Sequence, residues 1–347
     1  MRVGVVGCGY WGAKHVRVLT GLPEVAQVVA IDSRPERIEP IRRMYHSARY
    51  AYRLDEVIDD IDAAVIATPP RTHAPLAAQL LRAGKHVLIE KPMATSSDEA
   101  RELIDLAEAR GLVLMAGHTF EYNAAVLALR DVITSGELGT IYYIDAARLN
   151  LGLYQPDVNV IWDLAPHDIS IINLLLDSVP RTVTAWGSRH AGSPYEDVAY
   201  LRLDYGEATA NVHVSWLDPA KVRRVTVVGS KRMAVYNDLL DDARLQIFDK
   251  GVSGPVTEPD SGVPMSYRYG GISAPHIEFR EPLATEDEHF VDCVRHHKTP
   301  DSDGYRGLGV VGVLEAAERS MRIGSAVEVP RTVPEPGRDP ARTVPVS

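Results

Sequence analysis

The chain has 347 residues, of which 45% are hydrophobic and 24% charged, and it carries a formal net charge of −10 at pH 7. A length above that of one typical domain predicts two domains, each with its own core. The acidic balance argues against binding to nucleic acid or to an anionic membrane, and no hydrophobic run is long enough to span a bilayer. With only Cys8 and Cys293, the chain is expected in a reducing cytoplasm without a disulfide framework.

The first predicted element is a buried strand that runs into a glycine turn and then a helix. The turn consists of Gly7, Cys8, Gly9, Tyr10, Trp11 and Gly12. Gly7 allows the tight turn, Gly9 lets the backbone approach a pyrophosphate, and Gly12 lets the helix pack closely on the strand. The helix N-terminus supplies free N–H groups and the positive end of a dipole. We therefore expect a dinucleotide site here, including the two aromatic residues of the turn.

A second hydrophobic strand is predicted over 25–31, and it ends at Asp32. This position lies about twenty residues beyond the last glycine, where an acidic side chain binds the ribose 2′-OH of a dinucleotide. Asp32 favours NAD, because a carboxylate would repel a 2′-phosphate. Ser33 and Arg34 leave NADP open, since an arginine here could accommodate that phosphate.

Strands and helices alternate through the first third of the chain, which predicts a parallel, doubly wound sheet. Further strands are predicted over 63–67, 86–89 and 112–116, and helices over 54–58, 75–83 and 97–110. In such sheets ligands bind outside the carboxyl ends of the strands. Thr68, Pro69 and His73 follow one such end and are candidates to contact the cofactor. For His73 a surface histidine at the start of a helix is the alternative.

The segment Glu90-Lys91-Pro92 follows the strand over 86–89. If the glycine turn holds the pyrophosphate, Lys91 lies beside the nicotinamide, where it can transfer a proton to or from a substrate hydroxyl. Pro92 would fix the direction of the backbone at this point. A salt bridge between Glu90 and Lys91 at the strand end is the structural alternative.

The second half of the chain has the alternation typical of an antiparallel sheet. Strands are predicted over 141–149, 182–186, 199–203, 209–216 and 224–228, and helices over 286–296 and 307–323. The range 251–285 is rich in Gly, Pro and Ser and is expected to form a long loop or arm. Tyr267-Arg268-Tyr269 within it could reach a substrate or a neighbouring subunit. No spacing typical of metal ligands is present, so no metal is expected.

A helix is predicted to open at Trp162, with Pro166 in its first turn, where the missing N–H of proline does no harm. Asp163 and His167 are four residues apart and therefore share one face of this helix. A carboxylate beside an imidazole can fix its orientation and stabilise its protonated form. His167 is thus a candidate general acid or base, and Asp163 is expected to orient it.

The order of these motifs resembles the Gfo/Idh/MocA family of oxidoreductases. The resemblance covers nearly the whole chain, and its most specific part is Glu90-Lys91-Pro92 followed by Asp163-x-x-x-His167. It implies an NAD(P)-binding Rossmann domain with a doubly wound parallel sheet over 1–120, and an α+β domain with a large, mainly antiparallel sheet for substrate binding and oligomerisation over 121–330. The Pro-rich range 331–347 is expected to be a disordered tail.

The resemblance also implies the activity. Lys91, Asp163 and His167 would converge on the substrate carbon that faces the nicotinamide, with His118 close to the nicotinamide or the substrate. The reaction would move a hydride between NAD, with NADP as the alternative, and a ring carbon of a sugar, nucleotide-sugar or cyclitol. A homodimer or homotetramer through the exposed sheet face is expected. The candidate substrate contacts in loops are Tyr122, Asn150, Tyr154 and Asn159.

Two other classes of function stay open. A tightly held NAD could support a redox-neutral reaction, in which oxidation of a sugar carbon is followed by epimerisation, elimination or glycoside cleavage before the hydride returns. A regulatory protein that senses NAD without turnover is the other class. The presence of Lys91, Asp163 and His167 together disfavours a sensor, because a sensor has no use for a proton relay.

Overall fold

Continuous hydrophobic runs form the first sheet, since its strands are buried on both faces. The computed structural model describes residues 1–155, 158–253 and 266–330. The strands are β1 (Arg2–Val6), β2 (Gln27–Ile31), β3 (Arg49–Ala51), β4 (Ala63–Ile66), β5 (His86–Glu90) and β6 (Leu114–Gly117). They are all parallel, in the order β3-β2-β1-β4-β5-β6. The strand order reverses between β1 and β4, which places a ligand crevice at their carboxyl ends.

Helices cover both faces of this sheet: α1 (Tyr10–Thr20), α2 (Pro35–Met44), α3 (His73–Arg82) and α4 (Ser97–Glu108). Ser96 caps α4, because its hydroxyl accepts a hydrogen bond from the Glu99 backbone N–H at 3.2 Å. The Glu99 carboxylate accepts from the Thr95 N–H at 2.9 Å. The prediction of a parallel, doubly wound sheet is therefore confirmed.

Alternating hydrophobic and polar residues form the second sheet, which has nine strands in the described residues. These are β7 (Ile141–Leu149), β8 (Thr182–Ser188), β9 (Val198–Asp204), β10 (Thr209–Ser215), β11 (Val222–Gly229), β12 (Met233–Asn237), β13 (Leu245–Ser253), β14 (Ser266–Ser273) and β15 (Val327–Glu328). The order is β14-β13-β12-β11-β7-β10-β9-β8-β15, and every pairing except that of β7 with β10 is antiparallel. The predicted large, mainly antiparallel sheet is confirmed.

Four helices accompany the second sheet: α5 (Ala124–Thr134), α6 (Val160–Leu176), α7 (Pro282–His296) and α8 (Gly304–Ile323). Helices α6 and α8 cover one face of the sheet, and α7 returns to the first sheet, where Phe290 and Val291 join its core. Leu308 of α8 also packs on the first sheet. Helices α7 and α8, from the last third of the chain, therefore pack on the first sheet and connect it to the second. None of the described helices combines the length and apolar character needed to cross a bilayer.

Several predicted elements differ from the structure. The range 54–58 contains short 3₁₀ turns in place of a helix, α3 begins at His73, and α7 begins at Pro282. The expected loop over 251–285 contains β14, which pairs with β13 and places Tyr267 and Tyr269 on an exposed edge strand. Strand pairing thus outweighs the Gly, Pro and Ser content of the segment. The predicted tail over 331–347 lies outside the described residues.

The helix that carries His167 begins two residues earlier than predicted. Asn159 caps α6, because its side-chain oxygen accepts from the N–H groups of Ile161 at 3.1 Å and Trp162 at 3.2 Å. Pro166 was predicted in the first turn of this helix, but it lies inside the helix. It removes the donor that would otherwise bond the Trp162 carbonyl. The sequence prediction underestimated the capping strength of Asn159.

Candidate active site

The glycine turn after β1 has the geometry that a dinucleotide requires. Gly7 has a φ of +92°, and a Cβ on it would lie 2.7 Å from the Ala67 carbonyl oxygen. A Cβ on Gly12 would collide with the Gly7 carbonyl. Gly9 caps α1 without a side-chain hydrogen bond, so the first N–H groups of the helix are available to a phosphate. These features fit a bound NAD(P).

Asp32 lies at the end of β2 and is tied to the glycine turn. Its buried carboxylate accepts hydrogen bonds from the N–H groups of Cys8 at 2.8 Å and Arg34 at 2.9 Å. The guanidinium groups of Arg37, at 3.5 Å, and Arg34, at 4.0 Å, flank it. Ser33 is exposed beside them. An acceptor for the ribose hydroxyl and two cations suited to a 2′-phosphate therefore lie at the same place.

Two adjoining cavities follow the carboxyl ends of β4 and β5, and both are lined by Trp11 and Glu90. The smaller one, of about 190 Å³, contains Lys91 and is called here the lysine cavity; it is also lined by Thr68, Pro70, Pro92 and Asp163. The larger one, of about 370 Å³, contains His167 and is called the histidine cavity; it is also lined by Phe120, Asn123, Arg148 and Asn150. A volume of this size is typical of small-molecule sites.

The Lys91 side chain reaches α6 from the end of β5. Its ammonium donates to the Asp163 carbonyl oxygen at 2.7 Å and lies 3.4 Å from the Asp163 carboxylate. Glu90 instead accepts from the Lys91 backbone N–H at 3.0 Å, so the alternative of a Glu90–Lys91 salt bridge is wrong. Lys91 is thereby held between the first sheet and the helix that carries His167.

Asp163 and His167 share a face of α6, but the carboxylate does not orient the imidazole. The Asp163 oxygens are bound to Lys91 and to the indole N–H of Trp216, at 2.9 Å. The His167 Nδ1 is buried and has no hydrogen-bond partner among the described residues. The expected Asp163–His167 pair is therefore wrong, because two stronger donors occupy the carboxylate.

The electrostatic surroundings keep His167 neutral. Burial first, and then the charges of Lys91 and Arg148, lower the pKa of His167 well below its usual value of 6.5. The ring packs edge-on against Phe120, with centroids 5.1 Å apart. A neutral imidazole in a cavity can accept a proton from a substrate hydroxyl, which is the role of a general base.

A buried ion pair fixes this end of α6. Arg148 of β7 donates two hydrogen bonds, at 2.8 and 3.0 Å, to the carboxylate of Asp168, the residue after His167. The Arg148 guanidinium also lies 4.5 Å above the Phe120 ring. The sequence analysis missed this pair, although an arginine in an apolar strand and an aspartate beside the candidate base were available signals.

A second buried network lies behind Glu90, and the sequence analysis missed it as well. The imidazole of His15 in α1 contacts Asp287 of α7 at 2.8 Å and Glu90 at 3.2 Å. Burial alone would lower the pKa of His15, but Asp287 and Glu90 together raise it well above 6.5. The available signal was a histidine on the apolar face of α1.

We expect His15→Leu to destabilise the fold by about 3–5 kcal/mol, because it leaves two buried carboxylates without their cation. The His15 pKa is raised on folding, so this contribution is fully present below about pH 6.5 and is lost as the pH rises through the raised value. Thermal unfolding of both proteins across pH would measure it. The exposed His46→Leu is the control; equal stability losses in both variants would contradict the expectation.

The remaining predicted site residues fall into two groups. Asn150 lines the histidine cavity, and Thr68 lines the lysine cavity. His73 is buried, with ring nitrogens 2.8 Å from the Pro92 carbonyl and 2.7 Å from the Thr68 carbonyl. It braces two backbone segments of the cofactor crevice, so its alternative as a surface histidine is wrong, and its expected cofactor contact stays a prediction.

His118, Tyr122, Tyr154 and Asn159 line neither cavity. Neither His118 ring nitrogen has a partner among the described residues, and burial lowers the pKa of this histidine to about 4. The Tyr122 hydroxyl lies 2.9 Å from Ser302, and that of Tyr154 donates to Asp197 at 3.1 Å. Asn159 is used as the cap of α6. The expected substrate contacts of Tyr122 and Asn159 are wrong, because capping and core packing already occupy both side chains.

Comparison with known proteins gives a consistent result. Residues 1–118 match the model of an oxidoreductase family with an NAD-binding Rossmann fold, and residues 126–235 match the GFO/IDH/MocA C-terminal domain. The chain is 30% identical to UDP-N-acetylglucosamine 3-dehydrogenase of Acidithiobacillus ferrooxidans, over 90% of this chain and 94% of that protein. It is 33% identical to inositol 2-dehydrogenase 2 of Saccharopolyspora erythraea, over 59% of this chain and 63% of that protein.

Solved structures show the same similarity. The structure of the Acidithiobacillus ferrooxidans enzyme aligns with a TM-score of 0.78 at 28% identity, covering 93% of this chain and 98% of that one. GenD2 from gentamicin A biosynthesis, in complex with NAD, aligns with a TM-score of 0.80 at 27% identity, covering 95% and 97% of the two chains.

Proposed function

Since this chain belongs to the Gfo/Idh/MocA family of oxidoreductases, we propose that it is an NAD(P)-dependent dehydrogenase acting on a ring CH–OH group of a sugar or cyclitol, with Lys91 and His167 sharing the proton transfer. The observation that carries the catalytic assignment is the juxtaposition of a lysine ammonium and a neutral imidazole, whose Nδ1 has no partner within the described ranges, at two adjoining cavities beside the cofactor crevice.

The proposed roles follow from the charge of each group. NAD(P), when bound, accepts or returns the hydride. Neutral His167 takes the proton of the substrate hydroxyl as the carbon is oxidised, and the Lys91 ammonium donates a hydrogen bond to the same oxygen. In the reverse direction the His167 imidazolium returns this proton to the oxygen while Lys91 keeps its hydrogen bond to it. Asp163 holds the ammonium in place through its carbonyl and carboxylate.

The first test is to denature freshly purified protein and identify any released nucleotide, its phosphorylation and its redox state. Nicotinamide absorbance with a panel of sugars, nucleotide-sugars and cyclitols then follows. Hydride transfer to or from a panel member supports the proposal. A different result would be a nucleotide that never leaves the protein and a substrate that is rearranged without a net change in absorbance. That result would replace the proposed dehydrogenase activity by a redox-neutral reaction.

We expect Asp32→Ser to shift cofactor preference from NAD toward NADP by about 10- to 100-fold, the effect of one or two charge-assisted contacts. The substitution removes the repulsion of a 2′-phosphate and leaves Arg34 and Arg37 to bind it. The measurement is kcat/KM for each cofactor at one substrate concentration. Arg34→Ser is the matched control and should move the ratio in the opposite direction. An unchanged ratio in both variants would show that this loop does not contact the ribose.

The open face of the second sheet supports a proposed homodimer or homotetramer. Tyr143, Trp186 and Tyr200 on this face are 38%, 58% and 47% exposed, which leaves aromatic surface on the side opposite α6 and α8. Light scattering that shows a monomer would count against this assembly. The cytoplasmic location also stays a proposal, supported by two cysteines that are both buried.

A further inference from the structure

The mouth of the histidine cavity is cationic, although the whole chain has a net charge of −10. Lys14 comes from α1, Lys221 directly precedes β11, Arg223 lies in β11, and Arg244 comes from the segment before β13. Lys14, which hydrogen-bonds the Tyr10 hydroxyl at 3.1 Å, together with Arg223 and Lys221, lowers the pKa of Tyr10. All four cationic side chains line the histidine cavity.

Each acidic group that lines this cavity is already paired with a cation, and one of these cations is Arg223 of the cavity mouth itself. Asp238 binds Arg223 at 3.2 Å, Glu281 binds Arg17, and Glu90 binds His15. Across the described parts of the chain, no carboxylate lies within 4.0 Å of the ammonium of Lys14 or Lys221. The mouth of the cavity thus keeps positive charge that the protein itself does not neutralise.

The Arg244 guanidinium is held in a fixed orientation. It lies 4.4 Å above the ring of Phe279 and donates to the Leu240 carbonyl at 2.7 Å. Its nearest carboxylate among the residues that the structure describes, that of the fully exposed Asp241, is 3.9 Å away and is screened by water. Stacking on an aromatic ring and one hydrogen bond from Nε leave the other N–H groups of the guanidinium available to an anion.

The geometry points to a substrate that carries a phosphate ester, held by Lys14, Lys221 and Arg244 while its sugar ring lies at His167. A carboxylate has two oxygens and is matched by one guanidinium. Three cations from three separate segments suit a group with more oxygens and more charge, as in a phosphate or diphosphate. This inference rests on the proposed function, because it concerns the substrate of that same site.

The test measures binding and does not depend on turnover. The protein is first saturated with NADH. Four compounds are then titrated into it separately by calorimetry: UDP, glucose 1-phosphate, glucuronate and glucose. We expect the two phosphate compounds to bind at least about tenfold more tightly than glucuronate or glucose, and added NaCl to weaken them. If UDP binds more tightly than glucose 1-phosphate, the substrate is assigned as a nucleoside diphosphate sugar. If glucose 1-phosphate binds more tightly than UDP, the substrate is assigned as a simple sugar phosphate.

Lys221→Gln should raise the Kd of the phosphate compounds about tenfold, the effect of losing one charge-assisted contact, and leave the Kd of NADH within about twofold. Lys85→Gln is the matched control, because Lys85 lies directly before β5, at the amino end of the strand, whereas the site lies at the carboxyl ends of the strands. Lys14→Gln provides a second variant if Lys221→Gln unfolds.

Three results would overturn the inference. In the first, glucuronate or glucose binds as tightly as the phosphate compounds, and in the second, neither phosphate compound binds. In the third, the variants raise the Kd of NADH and leave the Kd of the phosphate compounds unchanged, which would assign the cations to the cofactor diphosphate. If the phosphate compounds bind as expected but no phosphorylated sugar changes the nicotinamide absorbance, the ligand inference stands and the proposed dehydrogenase function fails.

Discussion

Lys91→Met is expected to lower kcat about 10²- to 10⁴-fold while changing the Kd of NAD(P) no more than about twofold. The range is that of a positioned general acid or base. Methionine keeps the approximate length of the side chain and removes the ammonium that lies 2.7 Å from the Asp163 carbonyl. Because the Trp216 indole still donates to Asp163, the neighbouring carboxylate retains one partner. Steady-state turnover and cofactor binding by fluorescence would separate the two effects.

Lys91→Arg tests whether charge alone is sufficient. A guanidinium keeps the positive charge but is wider and planar, and it cannot easily lose a proton. We therefore expect Lys91→Arg to remain impaired by a factor close to that of Lys91→Met. Full turnover in either variant on the true substrate would remove Lys91 from the proton transfer. Recovery in Lys91→Arg alone would assign it an electrostatic role only.

The parts of the site that the sequence predicts are those encoded within a few residues. The glycine turn, Asp32 and the Glu90-Lys91-Pro92 segment each follow a strand, and the fold rule that ligands bind at the carboxyl ends of parallel strands brings them together. His167 was recognised because helix periodicity places it on the same face as Asp163. Such local patterns need no knowledge of distant contacts.

The parts that the sequence could not predict depend on partners far apart in the chain. His15 meets Asp287, which lies 272 residues later, and Arg148 meets Asp168 across two elements. Asp163 was assigned to His167 because of spacing, yet Trp216, from another strand, binds it. Spacing along a helix determines which of its side chains share a face, and tertiary packing determines which of the possible partners forms the hydrogen bond.

His167→Asn is expected to lower kcat/KM for alcohol oxidation by about 10²- to 10⁴-fold, because it removes the proposed acceptor of the hydroxyl proton. Asparagine is smaller than histidine and has a carbonyl oxygen that cannot hold a proton in this range of pH. The cofactor Kd should remain within about twofold. His213→Asn, on the open face of the second sheet, is the control and should retain wild-type turnover.

The pH profile of the wild-type protein distinguishes His167 from an ordinary histidine. Burial, with Lys91 and Arg148, lowers its pKa well below 6.5, so the imidazole stays neutral between about pH 6.5 and 8 and becomes protonated only on further acidification. Oxidation should therefore lose activity well below pH 6.5, and this acidic limb should disappear in His167→Asn. A limb centred at 6.5 or above that persists in the variant would assign the base to another group. In the direction of reduction the same groups act in reverse: the His167 imidazolium returns the proton while the Lys91 ammonium stabilises the developing alkoxide, which is why the site needs both groups.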